Sequence, residues 1–255
     1  MSALVVRALE REMIVFARTW RGNAFSSFVQ PLLFLGAMGL GLGGLVDDGA
    51  APTEGLDYLA FVAPGLLAAS ALLTAGAESL WPVMGGVKWM GQYNSMVTTA
   101  MTPGDVYGGL VLAAAVRALV AATAFLAVAA LLGGASSFWT PLALVPTVAL
   151  AAATAAVLAA YSVTRQTDTS FPIIIRLGVI PLFLFSGTFF PVEQLPDALQ
   201  PVVWVSPLWH AVESARDLTT GSVSVGTALH VVVLLVITAM ALPVGIRNFA
   251  KRLTP

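Results

Sequence analysis

The chain has 255 residues, of which 58% are apolar and only 10% charged, and it contains no cysteine. Soluble domains carry about 25% charged residues and the mean hydropathy here is +0.89, so a soluble fold is excluded and an integral membrane protein is expected. A net charge of −1 with no basic cluster offers nucleic acid no footprint, and the missing cysteines exclude disulfides and thiolate metal sites.

Residues 1–23 hold Glu10, Glu12 and four arginines but no long apolar run, so a cleavable signal peptide is not expected there. Val6, Leu9, Met13, Phe16 and Trp20 recur at spacings of three and four, while Arg7, Arg11 and Arg18 follow another face. The pattern predicts an amphipathic helix on the membrane surface; the alternative is a short soluble helix that happens to precede a span. Six apolar runs follow, near 24–46, 58–81, 106–132, 138–163, 171–190 and 226–247, and a bilayer helix needs about 20 such residues. In the first run, Gly39 and Gly43 form a G-x-x-x-G, a spacing that lets helices approach closely and that is expected to serve packing within the chain.

Charge sets the expected orientation. Asp47, Asp48, Glu54 and Asp57 follow the first run without a lysine or arginine, and Glu193, Asp197, Glu213 and Asp217 follow the fifth against Arg216 alone. Arg7, Arg11, Arg18, Arg21, Lys88, Arg165, Arg247, Lys251 and Arg252 fall on the other side. The positive-inside rule then places both termini in the cytoplasm of a multi-pass cell-membrane protein.

Three charges lie within runs: Glu78, Arg117 and Arg176. Ionisable groups at membrane depth are costly unless paired or hydrated. Glu78 and Arg117 are expected to neutralise each other across runs two and three, the alternative for Arg117 being a substrate contact. Arg176, near the start of run five, is expected to reach the inner interface. Residues 84–105, on the inner side, contain Lys88, Trp89, Gln92 and Tyr93, a mixture of charge, aromatics and amides that suits either a protein contact or anchoring at the membrane surface.

Between runs five and six, "FFPVEQLPDALQPVVWVSPLWHAVE" is apolar yet broken by Pro191, Pro196, Pro201 and Pro207. Proline removes a helix donor and clashes with the preceding turn, so no span is expected here. Glu193, Asp197 and Gln200 share one helical face and Leu195, Leu199 and Val202 another, predicting an amphipathic half-helix. Ser206 before Pro207 predicts the start of a second helix. Together, residues 191–218 read as a helix pair dipping into the outer leaflet. His210 and Glu213 give H-x-x-E, but a zincin needs two histidines at i and i+4 and the chain has only His210 and His230; no metal site or hydrolase is expected.

The stretch "LFLFSGTFFPVEQLPDALQPVVWVSPLWHAVESARDL" resembles the permease subunits of ABC-2 type exporters, in particular the nodulation lipo-oligosaccharide exporter and daunorubicin-resistance permeases. The matching positions are Ser186-Gly187, Phe190-Pro191, Leu195-Pro196, Pro207-Leu208, His210 and Glu213, with "QPLLFLGAMGLGLG" and "YLAFVAPGLLAASAL" similar in runs one and two. The resemblance implies a single all-α domain over 1–255. Its parts would be an interfacial helix (1–23), spans one to five (24–190), outer re-entrant helices (191–218) and span six (226–247). It implies that Lys88, Trp89, Gln92 and Tyr93 belong to a coupling segment docking on a separate cytosolic ABC ATPase, which binds ATP and Mg. This sequence has no G-x-x-x-x-G-K-[ST] loop to cradle phosphates, so no cofactor is expected on it. It implies pairing with a second permease, identical or paralogous, and outward movement of an amphiphile or lipid-linked glycan. The alternatives are a drug or antibiotic efflux permease and an ATP-independent carrier or channel. No convergent acid–base set supports an enzyme.

Overall fold

The computed structural model describes residues 3–24, 29–42 and 56–254, and among these every regular element is helical. In chain order they are α1 (Ala3–Ala24), α2 (Gln30–Phe34, continuing with π geometry over Leu35–Leu42), α3 (Tyr58–Lys88), a short α4 (Gln92–Val97), α5 (Pro103–Leu131), α6 (Thr140–Ser162, its first turn 3₁₀), α7 (Phe171–Phe185), α8 (Gln200–Trp204), α9 (Pro207–Thr220) and α10 (Val225–Leu253). By length and composition α3, α5, α6 and α10 can each cross a membrane, whose hydrocarbon layer is about 30 Å thick. α7 is apolar but shorter. The first run lies partly outside the described residues, as do Gly43 and the acidic Asp47, Asp48 and Glu54.

Several boundaries move for local reasons. α3 continues past the apolar run to Lys88 with Pro82 inside it. α5 begins at Pro103 because Thr102 caps it: its hydroxyl accepts from the Asp105 N–H, and the Asp105 carboxylate accepts in turn from the Thr102 N–H, a reciprocal arrangement that satisfies two orphan donors. α7 stops at Phe185 instead of 190, since Gly187 takes a φ of 78° that only glycine adopts freely. Residues 191–203 do not form the continuous half-helix that their amphipathic spacing predicts. A 3₁₀ turn at Val192–Gln194 is followed by an extended Leu195 (ψ 150°), and α8 begins only at Gln200. Pro196 is the cause, because the residue before proline is pushed out of the α region. α9 starts where Ser206-Pro207 predicts, the Ser206 hydroxyl accepting from the Trp209 N–H.

α6 is the hub, packing extensively on α3, α5 and α10. Its buried face is rich in alanine, with Ala149, Ala151, Ala153, Ala155, Ala156, Ala159 and Ala160 beside Thr147, Leu150 and Thr154. In a membrane, helix association depends on close packing and small residues allow it. Polar contacts then lock the interfaces. Tyr107 of α5 donates to the carbonyls of Ala156 (2.8 Å) on α6 and Ala241 (3.3 Å) on α10. A Cβ at Gly245 would lie 2.0 Å from that tyrosine ring, so α10 approaches only because the position is glycine. Ser162 donates to the Leu80 carbonyl at 2.6 Å.

The helix ends define two poles. At the basic pole, Lys88 donates to the Gln166 carbonyl (2.7 Å) and Arg252 to the Gln166 side chain (3.2 Å), joining the end of α3, the α6–α7 turn and the end of α10. At the opposite pole, Tyr58 donates to the Phe189 carbonyl, and Asp217 of α9 accepts from Thr227 of α10 at 2.6 Å. α1 lies against α5, with Ala8 on Gly109 and Val5 on Gly108. Its contact face therefore runs through Val5, Ala8 and Glu12, while Val6 of the apolar stripe stays exposed.

Candidate functional site

Two clusters of polar residues interrupt this apolar framework, one near each pole. The first is built on α1, α3, α4 and α5. Arg117 lies inside α5 with Nε 2.8 Å from Glu78 Oε2 on α3, an ion pair whose N–H is not aligned as a hydrogen bond. Its Nη1 is 3.8 Å from Glu12 Oε2 on α1. The other oxygen of Glu12 accepts from Arg11 at 2.5 Å, and Arg11 also donates to the side-chain carbonyl of Gln92 on α4. Positive and negative charges therefore alternate from Arg11 through Glu12 and Arg117 to Glu78, with Gln92 at the outer end. Side chains on a helix lean toward its N-terminus, and this directs Arg117 back along α5 toward α1. Glu12 reaches it because Ala8, one turn earlier, meets Gly109 directly: a Cβ there would lie 2.4 Å from that of Ala8.

The structure thus brings Glu78 and Arg117 together, and it adds Arg11 and Glu12, which their sequence presents as ordinary charges of an amphipathic helix. One signal was available: Glu12 falls one turn beyond Ala8, the smallest residue on its face. Arg176 joins neither cluster. It is exposed on the π-helical part of α7, apart from both carboxylates.

The segment after α3 divides its residues between inside and outside. Lys88 is the last residue of α3 and is engaged with Gln166. Trp89 and Met90 are 65% and 63% exposed. Gly91, at φ 62°, then turns the chain back. Tyr93 is buried instead, its ring against Gly86 of α3 and Phe249 of α10, and burial pushes its hydroxyl pKa well above the usual value. Tyr93 therefore fastens α4 to the helices, whereas Trp89 and Met90 form an apolar outward platform.

The second cluster explains the proline-rich motif. Arg216 of α9 is almost fully buried. It donates to Glu213 one turn earlier and to the Gly187 carbonyl, both at 2.6 Å, and its guanidinium stacks 3.9 Å from the centre of the Phe61 ring, a favourable cation–π arrangement. Gly187 is the residue with positive φ that ends α7, so the Ser186-Gly187 pair presents a carbonyl that Arg216 captures while Glu213 accepts from the same guanidinium. Gly65 lets the segment after α7 pass, since a Cβ there would lie 2.7 Å from the Thr188 carbonyl oxygen. Ser186 and Ser206 share a 2.8 Å hydrogen bond. His210 Nδ1 sits 2.7 Å from His230 Nδ1 of α10, and the Trp209 ring meets both imidazoles edge-on. Burial, and then the neighbouring His230, hold His210 below the usual histidine pKa. Pro191 precedes the 3₁₀ turn, Pro196 breaks it from α8, and Pro207 opens α9. In the sequence Arg216 stands only as the lone basic charge of the segment after run five. Among the described residues no group of three metal-ligating side chains converges.

The chain is also similar to known proteins along most of its length. Nodulation protein J of Sinorhizobium fredii is 31% identical over 240 residues, covering 92% of this chain and 89% of the relative. The Bradyrhizobium diazoefficiens protein of the same name is 32% identical with the same coverage, and that of Rhizobium leguminosarum bv. viciae is 29% identical over 92% and 90%. A family profile described as ABC-2 type transporter matches residues 4–220. With a family match over most of the chain and four helices able to cross a bilayer, this multi-pass membrane protein belongs to the ABC-2 type transporter family.

Proposed function

We propose that this chain is the transmembrane permease of an ATP-driven exporter that moves an amphiphile or lipid-linked glycan outward across the cell membrane. The family match over 4–220 carries this reading, and the likeness to nodulation proteins, with the sequence resemblance to lipo-oligosaccharide exporters, favours the lipid-linked cargo. ATP and Mg belong on separate cytosolic ABC subunits. A second permease, identical or paralogous, completes the path. The basic pole, with Lys88, Arg165, Lys251 and Arg252, faces the cytoplasm together with both termini, in line with the positive-inside rule. α2 and α7 add two spans to the four long helices, giving six. α8 and α9 form an outer lid, and α1 lies at the inner surface. The Trp89–Met90 platform, held by Lys88, Gln92 and Tyr93, receives the motor; exposed apolar and aromatic residues of this kind dominate many interfaces.

Affinity purification of the tagged permease from mild detergent tests the assignment. A cytosolic ATP-binding subunit is expected to co-purify and to hydrolyse ATP; transport by the permease alone, without such a subunit, would support a self-sufficient carrier instead. Single cysteines test the orientation, since the chain has none of its own. Gln194→Cys is expected to react with an impermeant thiol reagent in intact cells, and Met90→Cys and Thr167→Cys only after the membrane is opened.

A further inference from the structure

Arg117 is shared unequally between carboxylates on two different helices, 2.8 Å from Glu78 and 3.8 Å from Glu12. Glu12 is itself held by Arg11, and Arg11 reaches α4 through Gln92. All three charges nearest the centre are largely buried: 13% side-chain exposure for Arg117, 12% for Glu12 and 25% for Glu78. A buried guanidinium cannot stand alone without a heavy desolvation cost, so it leaves one carboxylate only by gaining another. This makes a two-position device out of one arginine, which is what discrete coupling between distant sites requires. The helix carrying the second carboxylate lies closely along α5, with Ala8 on Gly109 and Val5 on Gly108, and this holds Glu12 within reach of Arg117. α4, for its part, is joined to the apolar interior through Tyr93 and to the charged row through Gln92.

We propose that Arg117 is a two-position switch: Arg11 ties α1 to α4, and Glu12 competes with Glu78 for Arg117, so that movement of α4 exchanges the guanidinium between two helices and changes how α3 and α5 are clamped. This rests on the reading that the motor docks beside α4. Arg11 and Glu12 are positioning residues in this scheme, and Arg117 is the group that switches. Neutralising Glu12 leaves Arg117 with Glu78 alone and fixes the device in one position, while neutralising Arg11 uncouples it from α4.

The test uses the whole permease with its co-purifying ATP-binding subunit in proteoliposomes. Spin labels go on Leu131→Cys and Val225→Cys, both 87% exposed at the pole opposite α4. In the parent, ATP with vanadate is expected to shift the inter-label distance. Glu12→Gln is expected to bind the motor and hydrolyse ATP within about twofold of the parent yet lose the shift, and Glu12→Asp to restore part of it. Should Glu12→Gln fail to fold, Arg11→Gln, at the edge of the row, decides in its place with the same expected loss. A full shift in both Arg11→Gln and Glu12→Gln overturns the inference and leaves the exporter assignment standing. A parent that neither binds an ATP-binding subunit nor responds to ATP overturns the assignment, and the inference with it.

Discussion

Arg117 and Arg216 are both buried cations in a protein with few charges, but they are held in opposite ways. Arg216 has an acidic partner on its own helix, a backbone carbonyl at a glycine turn and an aromatic ring beneath it. None of these can exchange with another. Arg117 has two acidic partners on two other helices, one close but misaligned and one at the limit of contact. The number of partners is similar, so number does not separate the two sites. What separates them is whether the partners can move independently. Arg216 fixes the end of α7 to α9 in a single arrangement, whereas Arg117 stands where α1, α3 and α5 can be re-paired.

Removing Arg216 is expected to have the largest effect. Arg216→Gln removes the buried guanidinium that joins the half-buried Glu213 to the Gly187 carbonyl, and breaking a buried pair by deleting one partner costs about 3–5 kcal/mol. The variant is expected to lose most of its folded yield in mild detergent, measured by size-exclusion chromatography and thermal melting. A variant with parental melting behaviour would show that Arg216 is not the fastening of the lid.

The exposed platform at the basic pole comes next, and it separates function from stability. Trp89→Ala with Met90→Ala removes side chains that pack little within the chain, so folding is expected to be unchanged. An aromatic hot spot contributes about 2 kcal/mol or more, equal to roughly thirtyfold in affinity. Pull-down of the ATP-binding subunit is expected to fall by that factor and export to be lost with it. Parental recruitment and export would make these residues membrane anchors.

A smaller loss is expected from Glu78→Gln, because Glu12 remains to compensate Arg117. Stability is expected to fall by about 1–3 kcal/mol, the range for one lost partner of a buried polar group. Glu12→Gln added to Glu78→Gln strands the arginine and is expected to cost more than the two single changes together, while adding Arg117→Gln recovers part of it. Strict additivity of the melting shifts would mean that the two carboxylates do not share Arg117.

Much of this arrangement was legible in residue order, and the limits of that legibility have physical causes. Composition and the apolar runs identify the long helices, and Ser206-Pro207 marks a helix start because capping is local chemistry, whereas the apolar run alone starts α5 at 106 and misses the cap at Thr102. The amphipathic spacing over 191–203 misled, since a period says nothing about whether proline permits the helix that would display it. Glu12 and Arg216 were hidden for a different reason. Charges on a surface helix look alike until tertiary contacts bury some of them. Tyr93 belongs with these: beside Trp89 it reads as an aromatic contact, and only the approach of Phe249 and the absence of a side chain at Gly86 show that it faces inward.

The smallest expected effect concerns pH and returns to the fixed site. The only two histidines of the chain, His210 and His230, face each other Nδ1 to Nδ1 at 2.7 Å, joining α9 to α10. This contact needs one nitrogen to donate and the other to accept, so it is complete when both rings are neutral, and a second proton would set two donors against each other. Asp217 accepts from Thr227, and Arg216 and Glu213 are engaged with one another. Because His210 is held below its ordinary value by burial and by His230, the unfolded chain binds more protons than the folded one just below pH ~6.5. Stability from this residue is therefore fully present above about 6.5 and is lost as pH falls through the lower folded value. Melting of the parent, followed from about one unit above to about one unit below that point, is expected to decline on the acid side. His210→Gln, which retains a hydrogen-bonding group but does not titrate, is expected to flatten that decline while leaving ATP-driven movement at the opposite pole in place. An unchanged acid slope in His210→Gln would assign the pH dependence to other groups and make the imidazole pair a packing contact only.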